Sequence, residues 1–157
     1  MFNILEHAPW APDLKGARVI DLFAGSGALG LEALSRGAAF CLFVETHDAA
    51  RGAIRDNIEA FELYGVTRIH RRDATDLGVR PASAGPAFDI AFLDPPYHLG
   101  LAEQTLAELA RHAWLSPDAT VVVERGSDES PLAPPGYRVL EARDYGAARL
   151  HFLRRQG

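Results

Sequence analysis

Two groups of residues in this sequence have types and spacings that could do chemistry. Asp94-Pro95-Pro96-Tyr97 directly follows the apolar run Ile90-Ala91-Phe92-Leu93. It therefore stands at the carboxyl end of a strand, where open α/β sheets bind their ligands. The two prolines stiffen the backbone and supply no amide hydrogen, which leaves two acceptors, the Asp94 carboxylate and the Pro95 carbonyl. Two acceptors suit an exocyclic amine: they can hold its two hydrogens while its lone pair faces an electrophile. Tyr97, flanked by Pro96 and His98, offers a flat surface for an unpaired base, a contact worth roughly 1–3 kcal/mol. Taken alone, a stiff loop closed by a packing tyrosine would look the same.

The second group is a glycine turn. Gly25-Ser26-Gly27-Ala28-Leu29-Gly30 has the spacing G-x-G-x-x-G at the junction of a strand pattern and a helix pattern, and Glu45 follows twenty residues after Gly25. Small residues let the backbone approach a ligand, and an acid at the end of the second strand is placed to accept ribose hydroxyls. So far a nicotinamide dinucleotide fits as well as any adenosine ligand. Asp21 separates the two. A carboxylate there repels a pyrophosphate and attracts the amino and sulfonium groups of S-adenosylmethionine, although it could instead serve only as a local cap of the turn. Phe23, Ala24, Gly25 and Gly27 would then lie along the cofactor. Asp73 is placed to accept the adenine amino group and Ala74 to present an amide to the ring, a weaker signal because Asp76 is close by.

These groups need a scaffold, and the chain alternates strand-length apolar runs with segments of helical spacing, the pattern of a parallel α/β sheet. Strands are expected at 18–23, 40–45, 67–71, 88–93 and 120–124, with helices at 29–36, around Ala50, Ile54, Ile58 and Phe61, and at 101–112. Residues 78–87 and the proline-rich 130–136 read as loops. Residues 137–144 and 149–153, separated by Tyr145-Gly146, read as an antiparallel hairpin at the sheet edge. The 157 residues, 48% hydrophobic and 24% charged, fit one globular domain. The single cysteine, Cys41, excludes an internal disulfide and a cysteine-based zinc site, lies in a buried strand pattern unsuited to a nucleophile, and points to a cytoplasmic setting. The six histidines lack ligand spacing, so no metal is expected, and no apolar run is long enough to span a membrane. The net charge of −5 argues mildly against bulk electrostatic binding of nucleic acid. Candidate phosphate contacts are Arg51, Arg55, Arg68, Arg71, Arg72, Arg154 and Arg155.

The sequence resembles the class I, Rossmann-like S-adenosylmethionine-dependent methyltransferases, and within them the bacterial 16S rRNA guanine-N2 methyltransferases of the RsmD type. Phe2-Asn3-Ile4-Leu5, the run from Asp21 to Ala38, Phe92-Leu93-Asp94-Pro95-Pro96-Tyr97 and Tyr145-Gly146 carry the match. The resemblance implies a seven-stranded, mostly parallel twisted sheet with an antiparallel last strand and helices on both faces, over a single domain of residues 1–157. It implies methyl transfer to the amino nitrogen of one guanine in 16S rRNA, within a small ribosomal subunit or an assembly intermediate, by a monomer. Asp94, Pro95 and Tyr97 carry over as catalytic residues, Asp21, Gly25, Gly27, Glu45 and Asp73 as cofactor residues, and Asn3 as a residue on the substrate side. It further implies a basic segment some tens of residues long, leading into a helix that ends in Phe-Asn, which the chain as given lacks. Departures are small: Thr46-His47 follows Glu45 where a basic residue is common, and Ala147-Ala148 follows Tyr145-Gly146. An N6-adenine methyltransferase would use the same Asp-Pro-Pro-Tyr loop but normally carries an added target-recognition region. A nicotinamide-dependent oxidoreductase leaves that loop unexplained.

Overall fold

The computed structural model describes residues 1–156. In chain order they form α1 (Phe2–His7), β1 (Arg18–Leu22), α2 (Ala28–Ser35), β2 (Phe40–Val44), α3 (Asp48–Ala60), β3 (Thr67–His70), β4 (Phe88–Leu93), α4 (Leu101–Arg111), β5 (Leu115–Gly126), β6 (Tyr137–Tyr145) and β7 (Ala148–Arg155), with two short 3-10 turns between. One seven-stranded sheet has the order β3-β2-β1-β4-β5-β7-β6. Strands β1 to β5 are parallel, and β7 runs antiparallel between β5 and β6. None of the helices among the described residues is long and apolar enough to cross a membrane.

The central strands read as unbroken apolar runs because both of their faces are covered. With side chains alternating along a strand, Ile20, Leu22, Leu42, Val44, Ala91 and Leu93 pack with Leu106 and Leu109 of α4 and with Trp114. Val19, Cys41, Phe43, Ile90 and Phe92 face the other way, against Leu5 of α1, Ala33 of α2, and Ile54 and Ile58 of α3. Cys41 is fully buried, and burial raises its thiol well above the ordinary range.

The structure departs from expectation at three places. The helix does not close at Phe2-Asn3: Leu5 is buried, Phe2 packs on Phe92 with ring centroids 5.6 Å apart, and α1 runs on to His7. Strand β5 starts at Leu115, five residues before Thr120. Leu115 pairs with Phe88 and Thr120 with Ile90, so the intervening residues bulge outward with Asp118 at a φ of 62°, held by Ser116 Oγ donating to the Phe88 carbonyl at 3.1 Å and to Asp89 Oδ1 at 3.0 Å. A polar bulge interrupts the apolar pattern and hides the strand's first half. Phe61 is 65% exposed, because α3 ends at Ala60 and the chain turns before Phe61 can reach the core.

Candidate active site

All the acids singled out in the sequence lie at or just beyond the carboxyl ends of neighbouring strands. Asp21, in β1, points to the same face as Val19, toward α2, and is only 2% exposed. Its Oδ2 accepts the backbone N–H of Gly30 at 3.0 Å, satisfying an amide that the first turn of a helix leaves unpaired. Burial pushes this carboxyl up to about 8 against the opposing effect of that bond, with Asp94 and Glu45 adding to the rise. At neutral pH it holds its charge only with a cation placed against it.

The glycine turn is fixed from two sides. Phe23 has a φ of 58°, a left-handed conformation that costs a bulky residue about 1–3 kcal/mol and survives only where neighbours impose it. The neighbours here are Ala24, whose N–H donates to the Val44 carbonyl at 3.1 Å, and Gly25, whose N–H donates to Glu45 Oε1 at 2.8 Å. Gly25, at a φ of 58°, has open space where a side chain would stand and is selected by its conformation. Gly30 is selected by contact: a Cβ there would lie 2.5 Å from Cys41 Sγ and from the Phe43 ring. Gly27, the helix N-cap, also has a positive φ, at 84°.

Glu45 is 8% exposed. Besides the Gly25 bond, its Oε2 accepts the N–H groups of Thr46 at 2.9 Å and His47 at 3.0 Å. Three of about four acceptor positions on the carboxylate are thus taken by backbone, and one is left for a ligand hydroxyl. Glu45 lines a cleft of about 170 Å³ together with Phe23, Arg72, Asp73, Ala74 and Leu101, so four of the expected cofactor residues share one wall. Asp73 Oδ1 accepts from the Thr75 amide at 2.8 Å and hydroxyl at 2.7 Å, leaving Oδ2 free.

A second cavity, of about 220 Å³, opens on the other side of the glycine turn. Asp94 and Glu124 line it with Met1, Leu29, Phe92 and Leu150. The Tyr97 hydroxyl donates to Glu124 Oε2 at 2.8 Å, which fixes the tyrosine ring at the rim. Partial burial, then the charge and hydrogen bond of Glu124, push the Asp94 carboxyl up to about 6, and the bond to Glu124 pushes the Tyr97 phenol up to about 12. Pro95 is buried; Pro96, Tyr97 and His98 are exposed, with His98 Nε2 3.3 Å from Asp128 Oδ1. Asn3 stands exposed on α1 and lines neither cavity, although Met1 does.

Residues 1–154 match the family described as conserved hypothetical protein 95. The chain is 34% identical over 150 residues to ribosomal RNA small subunit methyltransferase D of Escherichia coli, covering 94% of this chain and 74% of that one. To the protein of the same name in Haemophilus influenzae it is 32% identical over 136 residues, covering 86% and 70%. The chain belongs to the ribosomal RNA small subunit methyltransferase D family. A solved Haemophilus influenzae structure superposes with a TM-score of 0.84 at 29% identity, over 99% of this chain and 94% of that one. The family's fold is therefore the Rossmann-like sheet described above.

Within this family fold, sequence reasoning missed Glu124. Its signal was present: it ends the apolar run Thr120-Val121-Val122-Val123, as Asp94 ends Ile90 to Leu93. The candidate arginines divide. Arg51 is buried, bonded to the Thr46 carbonyl at 2.5 Å and to Asp48, and is structural. Arg72 is bonded to the Leu77 carbonyl, Arg154 to Trp10 at 2.6 Å and Arg155 to Gly136 at 2.7 Å. Arg55, Arg68 and Arg71 are exposed near the β3 edge.

Proposed function

We propose that this chain transfers a methyl group from S-adenosylmethionine to the exocyclic N2 amino group of a guanine in small-subunit ribosomal RNA, presented within a small ribosomal subunit or its assembly intermediate. It would act as one domain, a cytoplasmic monomer. One observation carries the reading: an acidic cleft suited to an adenosine cation and a cavity bearing the Asp94 and Tyr97 loop flank a single glycine turn, which contributes Phe23 to the first and Ala28 and Leu29 to the second.

The residues present fit that cofactor better than a dinucleotide. Glu45 and Asp73 face a ribose and an adenine amine, Asp21 favours a cation, and the one guanidinium in the cleft wall, Arg72, is turned to a backbone carbonyl. Ala74 would border the adenine, while Ala24, Gly25 and Gly27 would border the methionine end. When bound, S-adenosylmethionine supplies a sulfonium methyl whose C–S bond breaks, its electron pair passing to sulfur, as the amine lone pair forms the new N–C bond. Asp94 and the Pro95 carbonyl hold the two amine hydrogens and so aim the lone pair. Asp94, or water beside it, takes the surplus proton. Tyr97 and Pro96 support the base, with His98 contacting RNA at the rim and Asn3 contacting it from the exposed face of α1. Positioning of this kind can supply about 7–11 kcal/mol of the barrier.

Labelled methyl transfer to unmodified small subunits, naked rRNA and DNA, followed by nucleoside identification, tests the reading. N2-methylguanosine is expected. N6-methyladenosine without it would overturn the guanine assignment in favour of an adenine substrate.

A further inference from the structure

The group that links the two halves of the Asp94 loop lies outside the loop. Glu124 stands two residues before the end of β5, in register beside Leu150 of β7, so its backbone is held by the sheet while its side chain reaches into the cavity. One carboxylate there meets two partners: it accepts the Tyr97 hydroxyl at 2.8 Å and lines the same cavity as the Asp94 carboxyl. Tyr97 is 36% exposed and His98, with a φ of 65°, turns the chain away just after it, so few other contacts hold the ring. Two facing carboxylates cannot both ionise freely, so the charge of Glu124 adds to what burial does in raising the Asp94 carboxyl.

We propose that Glu124 is a positioning residue: it fixes the Tyr97 ring as the platform for the substrate base and holds the Asp94 carboxyl against the methyl-accepting amine. The assignment rests on the methyltransferase reading above for its substrate, but its geometry is a property of the protein alone. The raised Asp94 carboxyl agrees with it. Other titratable groups lie close: the charge of Asp94 acts on Asp21 of β1, those of Asp94, Glu124 and Glu129 act on Tyr97, His98 pairs with Asp128, and Met1 lines the same cavity. Of these, only Tyr97 is bonded to Glu124.

Two variants separate the roles. Glu124→Gln keeps an oxygen for the Tyr97 hydroxyl and removes the charge facing Asp94, whereas Glu124→Ala removes both. Carboxyl NMR titration of the protein without ligands should show Asp94 near 6 in the wild type and at least one pH unit lower in Glu124→Gln. In methyl transfer, Glu124→Gln should keep KM for RNA within about twofold while the acid limb of its kcat profile moves to lower pH. Glu124→Ala should raise KM for RNA at least fivefold, as should Tyr97→Phe, with binding of S-adenosylhomocysteine unchanged in all three. An Asp94 titration identical in wild type and Glu124→Gln, or a wild-type KM in Glu124→Ala, overturns the proposal. If wild type transfers no methyl to RNA, the function assigned above fails, while the NMR arm still decides whether Glu124 raises the Asp94 carboxyl.

Discussion

Asp94 and Asp21 are acids of the same kind placed for different tasks. Asp94 sits at the rim, open on one side to solvent and on the other to Glu124, and its carboxyl, raised to about 6, is mostly ionised at neutral pH. That suits a group that must accept amine hydrogens and then one proton. Replacing it with alanine should lower kcat by about 100-fold or more, the range expected for loss of a positioned proton acceptor, while S-adenosylhomocysteine still raises the melting temperature as in wild type. Loss of both together would mean that Asp94 belongs to the cofactor site. The fold should not suffer, because the substitution removes a carboxyl that Glu124 repels. At this scale the sequence told much: the Asp-Pro-Pro-Tyr loop and the glycine turn announce themselves by composition. It concealed what lies across strands. Glu124 is a single acid in an ordinary strand ending, and only the pairing of β4 with β5 brings it to Asp94. Glu45 was legible as an acid in the right place, but not as a clamp on the backbone of Gly25, Thr46 and His47.

At the scale of elements, the close seating of α2 on β2 makes the glycine turn possible. Gly30 lets the helix approach Cys41 and Phe43, and the same approach brings its N–H to Asp21. Gly30→Ala therefore should destabilise by about 1–3 kcal/mol through overpacking and weaken cofactor binding together with stability. Gly25→Ala, with open space around it but a φ of 58°, should cost about 1 kcal/mol through backbone strain alone. Urea denaturation of both variants and of Gly30→Ala with Cys41→Ala checks this. Removing the Cys41 sulfur should recover part of the first loss and none of the second, since only contacting positions couple. The strands at the sheet centre were legible because burial on both faces demands continuous apolar runs. The elements that escaped did so for local reasons: α1 has six residues, too few for a helical period to show, and the first half of β5 is masked by a polar bulge.

For the molecule as a whole, four of the 21 acidic residues share one place. Asp21, Glu45, Asp94 and Glu124 are gathered at or near the carboxyl ends of four adjacent strands, on the side of the sheet where a sulfonium cofactor would bind. This concentration has a pH signature. Asp21 stands near 8 in the folded chain and near 3.8 unfolded, so between those values the folded state binds the extra proton and stability must fall as pH rises, levelling off above about 8. The slope for one such group is at most about 1.4 kcal/mol per pH unit. His70 and His151, whose pKa values burial lowers, act oppositely below their ordinary range, which masks the trend in wild type alone at acid pH. Asp21→Asn cancels that background, since the amide imitates the protonated acid at every pH. The stability of wild type relative to Asp21→Asn should decline steadily from pH 6 to 8 in urea titrations. Saturating S-adenosylmethionine, by placing a cation against the carboxyl, should flatten that decline, and S-adenosylhomocysteine, with its neutral sulfur, should flatten it less. A difference between the two proteins that does not change with pH would show that Asp21 is already ionised without any ligand, and that burial does not hold its proton to about 8.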